Sequence, residues 1–144
     1  MLFRSLFNLT EEVIYKTRKM NLAGRQIHLG LSGQHQSWHR HLTLKYFINH
    51  TQEMFDFCIK LYQQWPQNFS IIKFSVRLSL LQPLNQTPIS LLPQWQKQEK
   101  ISQSIDKIND KFGLFTIKSG LLVKQKIIMP EVTGFLGDKH FQFL

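Results

Sequence analysis

Acidic residues are scarce in this 144-residue chain: 9 Asp and Glu stand against 18 Lys and Arg, a formal net charge of +9. Cysteine is scarcer still, with Cys58 alone, which excludes a disulfide framework and any multi-cysteine zinc site. No stretch approaches the length of about eighteen consecutive apolar residues that a membrane span requires, so no membrane partner is expected. The opening MLFRSLFNLTEEV has neither the apolar run nor the small-residue cleavage site of a secretory signal, and a cytoplasmic setting is the expectation. What is present suffices for a core. Apolar residues make up 42% of the chain, with 12 Phe and 3 Trp, which separates it from a disordered tail.

The carboxylates also fall in the wrong places for metal chemistry. A two-metal phosphoryl-transfer centre needs at least two of them converging on ions about 4 Å apart. Glu11 and Glu12 stand where a helix is expected to begin, and Asp106 and Asp110 lie one turn apart beside Lys107 and Lys111, as on a solvated face. Glu53, Asp56, Glu99, Glu131 and Asp138 complete the set, and none lies in a strand-like segment. Neither a metal-dependent polymerase or nuclease centre nor any cofactor is expected. The positive excess points instead to a polyanionic partner.

Residues 6 to 22 place Leu6, Leu9, Val13 and Met20 at helical spacing, widened by Phe7 and Ile14, with Gly24 as the stop. RQIHLGLSG then alternates: Ile27, Leu29 and Leu31 one way, Gln26, His28, Gly30 and Ser32 the other. After the break at Gly33 to Ser37, WHRHLTLKYF alternates again, and the two segments predict a hairpin. Asn49 and Gln52 have capping-box spacing before a helix over 51–65 that ends at Pro66. Residues 71–81 predict a strand with Ile72, Phe74, Val76, Leu78 and Leu80 on one face and Lys73, Ser75, Arg77 and Ser79 on the other. Pro83, Pro88 and Pro93 mark residues 83–93 as a linker. A third helix over 94–112 carries Trp95, Ile101, Ile105, Ile108 and Phe112, LFTIKSG suggests a short strand, and the rest reads as an irregular tail.

This order predicts an α+β fold: two helices packed on one face of a small, mostly antiparallel sheet across residues 1–82, the linker 83–93, and a C-terminal helix and tail over 94–144. The other sheet face would carry His28, Ser32, Lys73, Ser75 and Arg77, with His41, Thr43 and Lys45 if the second strand keeps register. Arg25 and Arg40 join them as candidate phosphate contacts. A merely solvated face would mix in Asp and Glu, and this one does not.

Three stretches together resemble a known domain. LTEEVIYKTRKMNLAGRQIHLGLSG, FDFCIKLYQQW and IIKFSVRLSLL are similar to the little finger domain of Y-family translesion DNA polymerases, in the bacterial branch related to UmuC and DinB. EKISQSIDKINDKFGLFTIKSG is similar to the segment that follows it there. The resemblance implies a four-stranded sheet with two helices on one side, docked in the major groove of duplex template–primer DNA. It also implies that the catalytic palm, fingers and thumb precede the domain. With only MLFRS ahead of the first helix, the expectation is a chain lacking the family's first strand and unable to polymerise. Where the family often carries a sliding-clamp peptide, this chain has Pro88-Ile89-Ser90-Leu91-Leu92. Ile89, Leu91 and Leu92 are candidate clamp anchors, although Pro replaces the family's Gln and Leu its aromatic.

Other readings are weaker. His28, His35, His39 and His41 invite zinc, yet no thiol or carboxylate neighbours them in sequence as a supporting ligand. His41-Leu42-Thr43-Leu44 fits half of a two-histidine phosphoesterase motif, but its nearest companion, His28-Leu29-Gly30-Leu31, lacks the Thr. A protein-interaction module that docks on a polymerase or clamp is the competing class to DNA binding.

Overall fold

A computed structural model describes residues 2–87, 93–113 and 115–120. The chain divides into two compact units, Met1–Ile89 and Ser90–Leu144. The first contains, in order, α1 (Leu2–Lys19), β1 (Leu22–Ser32), β2 (Ser37–Ile48), α2 (Thr51–Tyr62), β3 (Lys73–Ser79) and a two-residue β4 (Gln82–Pro83). The sheet is antiparallel with β1 in the centre, β2 on one side, and β3 followed by β4 on the other. The fold is the expected α+β arrangement, with both helices on one face.

The core forms where the strand alternation meets the two helical stripes. Ile27, Leu29, Leu31, Leu44 and Leu78 point from the sheet into a cluster with Leu6, Ile14, Met54, Cys58 and Leu61. Trp65 joins it just past α2, stacking edge-on against Phe69 at 5.2 Å between ring centroids. Phe55, Phe57 and Phe74 are half-buried against the same cluster.

Several local expectations fail for identifiable reasons. α1 starts at Leu2, so residues 2–5 supply helix rather than strand, and Glu11 and Glu12 sit mid-helix instead of in the first turn. Glu12 pairs there with Lys16 at 3.2 Å, one turn along. The buried stripe of α1 includes Thr10 and Thr17, whose hydroxyls donate to the Leu6 and Val13 carbonyls at 2.7 and 2.8 Å; satisfied in this way, polar side chains can be buried. Met20 lies beyond the helix and is exposed. The stop is Asn21, at φ 54, not Gly24. Gly24 is instead inside β1, where an added β-carbon would lie 2.5 Å from Leu78 Cγ.

The capping box at α2 does not form. His50 is the cap residue and makes no side-chain capping bond, while Gln52 donates to Asp56 at 2.9 Å. Helical geometry ends at Tyr62, and residues 63–65 follow as turns before Pro66. The strand expected over 71–81 is shorter. Ile72 is exposed, and Leu80 turns out of the sheet at φ 52, after which the chain rejoins β1 as β4. Residues 84–86 form a single 3₁₀ turn.

In the second unit, α3 spans Pro93–Phe112 and ends at Gly113, which adopts φ 109. Among the described residues Ile101, Ile108 and Phe112 of its apolar stripe are exposed. The Asn109 side chain accepts from the Ile117 N–H at 2.9 Å, so residues 115–120 form turns rather than the expected strand. The clamp-type peptide, with Ile89, Leu91 and Leu92, lies outside the described residues.

Candidate nucleic-acid interface

On an antiparallel ladder, residues directly opposite each other share a face. The registers of β1 with β2 and with β3 therefore define rows across the side of the sheet away from the helices. From one end they read Thr43–Gln26–Ser79, His41–His28–Arg77, His39–Gly30–Ser75 and Ser37–Ser32–Lys73. Seven of the candidates, His28, Ser32, His41, Thr43, Lys73, Ser75 and Arg77, stand in these rows. Lys45 follows Thr43 by alternation. The intervening Leu44 is buried, and Tyr46, next after Lys45, turns to the helix side, where its hydroxyl donates to Glu53 of α2.

Arg25 and Arg40 stand outside these rows, although Arg40 borders the hollow between His28, His39 and Arg77. Arg40 pairs opposite Leu29, so register assigns it to the helix side of edge strand β2, with its guanidinium 6.0 Å from the Trp38 ring centroid. Arg25 lies in the irregularity between Gly24 and Gln26, where the β1–β2 register shifts, 5.8 Å from the Phe47 ring.

The rows are joined by side-chain hydrogen bonds. Gln26 Nε2 donates to Thr43 Oγ1 at 2.9 Å, and Ser79 Oγ donates to Gln26 Oε1 at 3.1 Å. His28 Nε2 lies 2.9 Å from Gln26 Oε1 and 3.0 Å from Ser79 Oγ, while Arg77 Nη2 lies 3.4 Å from His28 Nδ1. An amide oxygen can only accept and a guanidinium can only donate, so this network assigns His28 the neutral tautomer with its proton on Nε2. Burial, the Arg77 charge and His41 together hold the His28 imidazole below its ordinary value. The His28 and His41 rings are 5.4 Å apart.

Gln26, Ser79, His39 and Ser37 belong to this face although the sequence reading did not select them. The strand alternation already marked the first two as outward, and pairing with β1 adds the others. The four acidic residues of the first unit, Glu11, Glu12, Glu53 and Asp56, are all on α1 and α2, so the strands carry none. Among the described residues no cluster of three His, Cys, Asp or Glu could hold a metal, and no helix is long and apolar enough to cross a membrane.

A cationic, donor-rich sheet face backed by two helices now has relatives to set beside it. The chain is 27% identical over 112 residues, 75% of its length, to DNA polymerase IV 2 of Halalkalibacterium halodurans. It spans about a quarter of that relative, 27% of its length. Residues 2–91, which contain every element of the first unit, match the impB/mucB/samB family C-terminal domain. The chain belongs to that family, the C-terminal domain of Y-family translesion polymerases that its sequence resembles.

Proposed function

We propose that the sheet face opposite the helices binds duplex DNA through its phosphates, without sequence preference, as the little finger portion of a translesion polymerase that positions template–primer DNA. The observation that carries this reading is the segregation of charge. Lys73 and Arg77, with Lys45 by alternation past buried Leu44, share one face with hydroxyl, amide and imidazole donors, while the four carboxylates of the first unit are confined to the helices on the other. Cations and neutral donors without base-reading geometry favour backbone contact over sequence recognition. Nucleotide chemistry then belongs to polymerase segments outside this chain, in keeping with the quarter of the relative's length that it matches.

Salt dependence tests the reading, because phosphates neutralised by protein release counterions. The outward positions Lys45, Lys73 and Arg77 alone give three full cations. The logarithm of affinity for a duplex of about 20 base pairs should fall with log salt with a slope near −2.7, at roughly −0.9 per phosphate. A slope near zero, or no binding at low salt, eliminates the proposal.

A further inference from the structure

The outer face is not flat. A hollow of about 390 Å³ sits beside Gly30, lined by His28, His39, Arg40, His41, Ser75 and Arg77, with Leu29. Its floor takes no side chain: the Ser75 hydroxyl and the His39 ring close over Gly30, and a β-carbon there would collide with the first and come within 2.8 Å of His39 Nδ1. Glycine inside a strand costs about 0.5–1 kcal/mol relative to alanine, and it marks places where another group approaches the backbone closely. No carboxylate lines this hollow. Its wall offers guanidinium and hydroxyl donors and three imidazoles, a set matched to a compact oxyanion and poorly matched to an apolar or cationic ligand.

We propose that the hollow beside Gly30 seats one phosphate group of bound duplex, and that His28 takes up a proton as the phosphate enters. The idea rests on the DNA-binding reading and deepens it to one site. Arg77 Nη2 currently faces the His28 Nδ1 lone pair across 3.4 Å, a long and weak contact. A phosphate oxygen in the hollow is a far stronger acceptor for that guanidinium. Once Arg77 turns to it, Nδ1 is released and can be protonated, and the new imidazolium donates to the same anion.

The charged and titratable groups facing His28 are Arg77 from β3 and His41 from β2, with His39 one row away and Arg40 of β2 lining the same hollow. Gln26 and Ser79 complete its surroundings as neutral partners. α1 and α2 pack on the opposite sheet face. Burial, Arg77 and His41 disfavour the imidazolium before binding, and the phosphate reverses that balance.

The sign follows from linkage. A proton taken up on binding makes affinity rise as pH falls, through the interval between the lowered value of free His28 and its raised value in the complex. Below that interval His28 is charged in both states and the dependence ends. One linked proton changes affinity by at most about tenfold per pH unit.

The experiment measures anisotropy of a labelled duplex with the full chain at fixed salt, between about pH 8 and about pH 6. Binding should tighten about three- to tenfold more in the native chain than in His28→Gln, which keeps a polar side chain but cannot titrate. Gly30→Ala changes no charge but displaces the Ser75 hydroxyl and the His39 ring that line the hollow, and it should lose the same increment. A His28→Gln variant with the full native pH response, or a Gly30→Ala variant that binds as the native chain does, overturns the phosphate seat and leaves DNA binding intact. A native chain that ignores duplex altogether overturns both. Should either variant lose its cooperative thermal transition, the native protein titrated with inorganic phosphate decides: the His28 ring C–H resonance must move toward its protonated position, and a static resonance refutes the seat.

Discussion

Lys73 and Arg77 close the β3 end of two different rows, with Ser75 between them on the same face. Both side chains project to solvent, and neither is engaged in an ion pair among the described residues. Lys73→Glu with Arg77→Glu should therefore weaken duplex binding at least about tenfold, since two neutralised phosphates become two repulsions. The thermal midpoint should shift by only a few degrees, because surface substitutions usually stay within about 0.5 kcal/mol. Loss of the cooperative transition would mean that the two side chains are structural. Arg25 and Arg40 mark what a strict reading of parity would have excluded. Arg40 lies between His39 and His41, and neighbouring strand residues cannot share a face. Arg25 has the parity of the buried Ile27. Glu53 offers a separate residue-level test. Burial pushes its carboxyl above the ordinary 4.5, the Tyr46 hydroxyl pulls it partway back, and Asp56 adds a further upward push. The folded state thus holds that proton longer than the unfolded state, and stability falls as pH rises above the ordinary value through the raised one. Glu53→Gln removes this loss and should raise the melting temperature more at about pH 7 than at about pH 4. An equal change at both would refute the account.

At the scale of elements, periodicity located both helices and the three long strands of the sheet unit but not the two-residue β4, and the ends were set by backbone details that periodicity does not encode. The β3–β4 break is one. Leu80 occupies φ 52, a region that costs a residue with a β-carbon roughly 1–2 kcal/mol, and its side chain is exposed. Leu80→Gly should stabilise the fold by about 0.5 kcal/mol once the greater unfolded-state freedom of glycine is deducted. A drop in melting temperature would show that the Leu80 side chain matters more than its backbone strain. The sequence pattern gave no hint of this kink, because Leu80 has the correct parity to continue the strand. α2 supplies the second element-level test. Its Cys58 is fully buried in the core, and burial pushes the thiol up to about 12, with a Thr10 contact opposing. Reaction with a thiol reagent should be undetectable in the folded protein and should appear only as α2 leaves the sheet, so its rate under mild denaturant reports that opening. Prompt labelling in native buffer would contradict the packing of α2.

The polar face is a property of the whole sheet unit, and no single segment of sequence contains it. Alternation in β1 and β3 identified which residues look outward, but which of them stand side by side depended on register, set by the Gly33–Ser37 connection and the long return through α2. His28 beside Arg77, across 49 positions of chain, is the contact that sequence could not supply. The hollow at Gly30 was equally invisible, because it depends on Ser75 and His39 arriving from different strands over a residue that merely looked like one more outward position. These two features couple the protein's charge to its surroundings. Above the His28 interval the face presents Lys45, Lys73 and Arg77, and the salt slope should sit near −2.7. If His28 becomes imidazolium in the complex, a fourth cation joins them, and the slope should steepen toward about −3.6 as pH falls toward 6. Gly30→Ala, with every charge retained but Ser75 and His39 displaced in the hollow, should keep the shallower slope at both pH values. Salt titrations of both proteins at the two pH values provide the check, and the same steepening in Gly30→Ala would mean that protons enter the complex somewhere other than at His28.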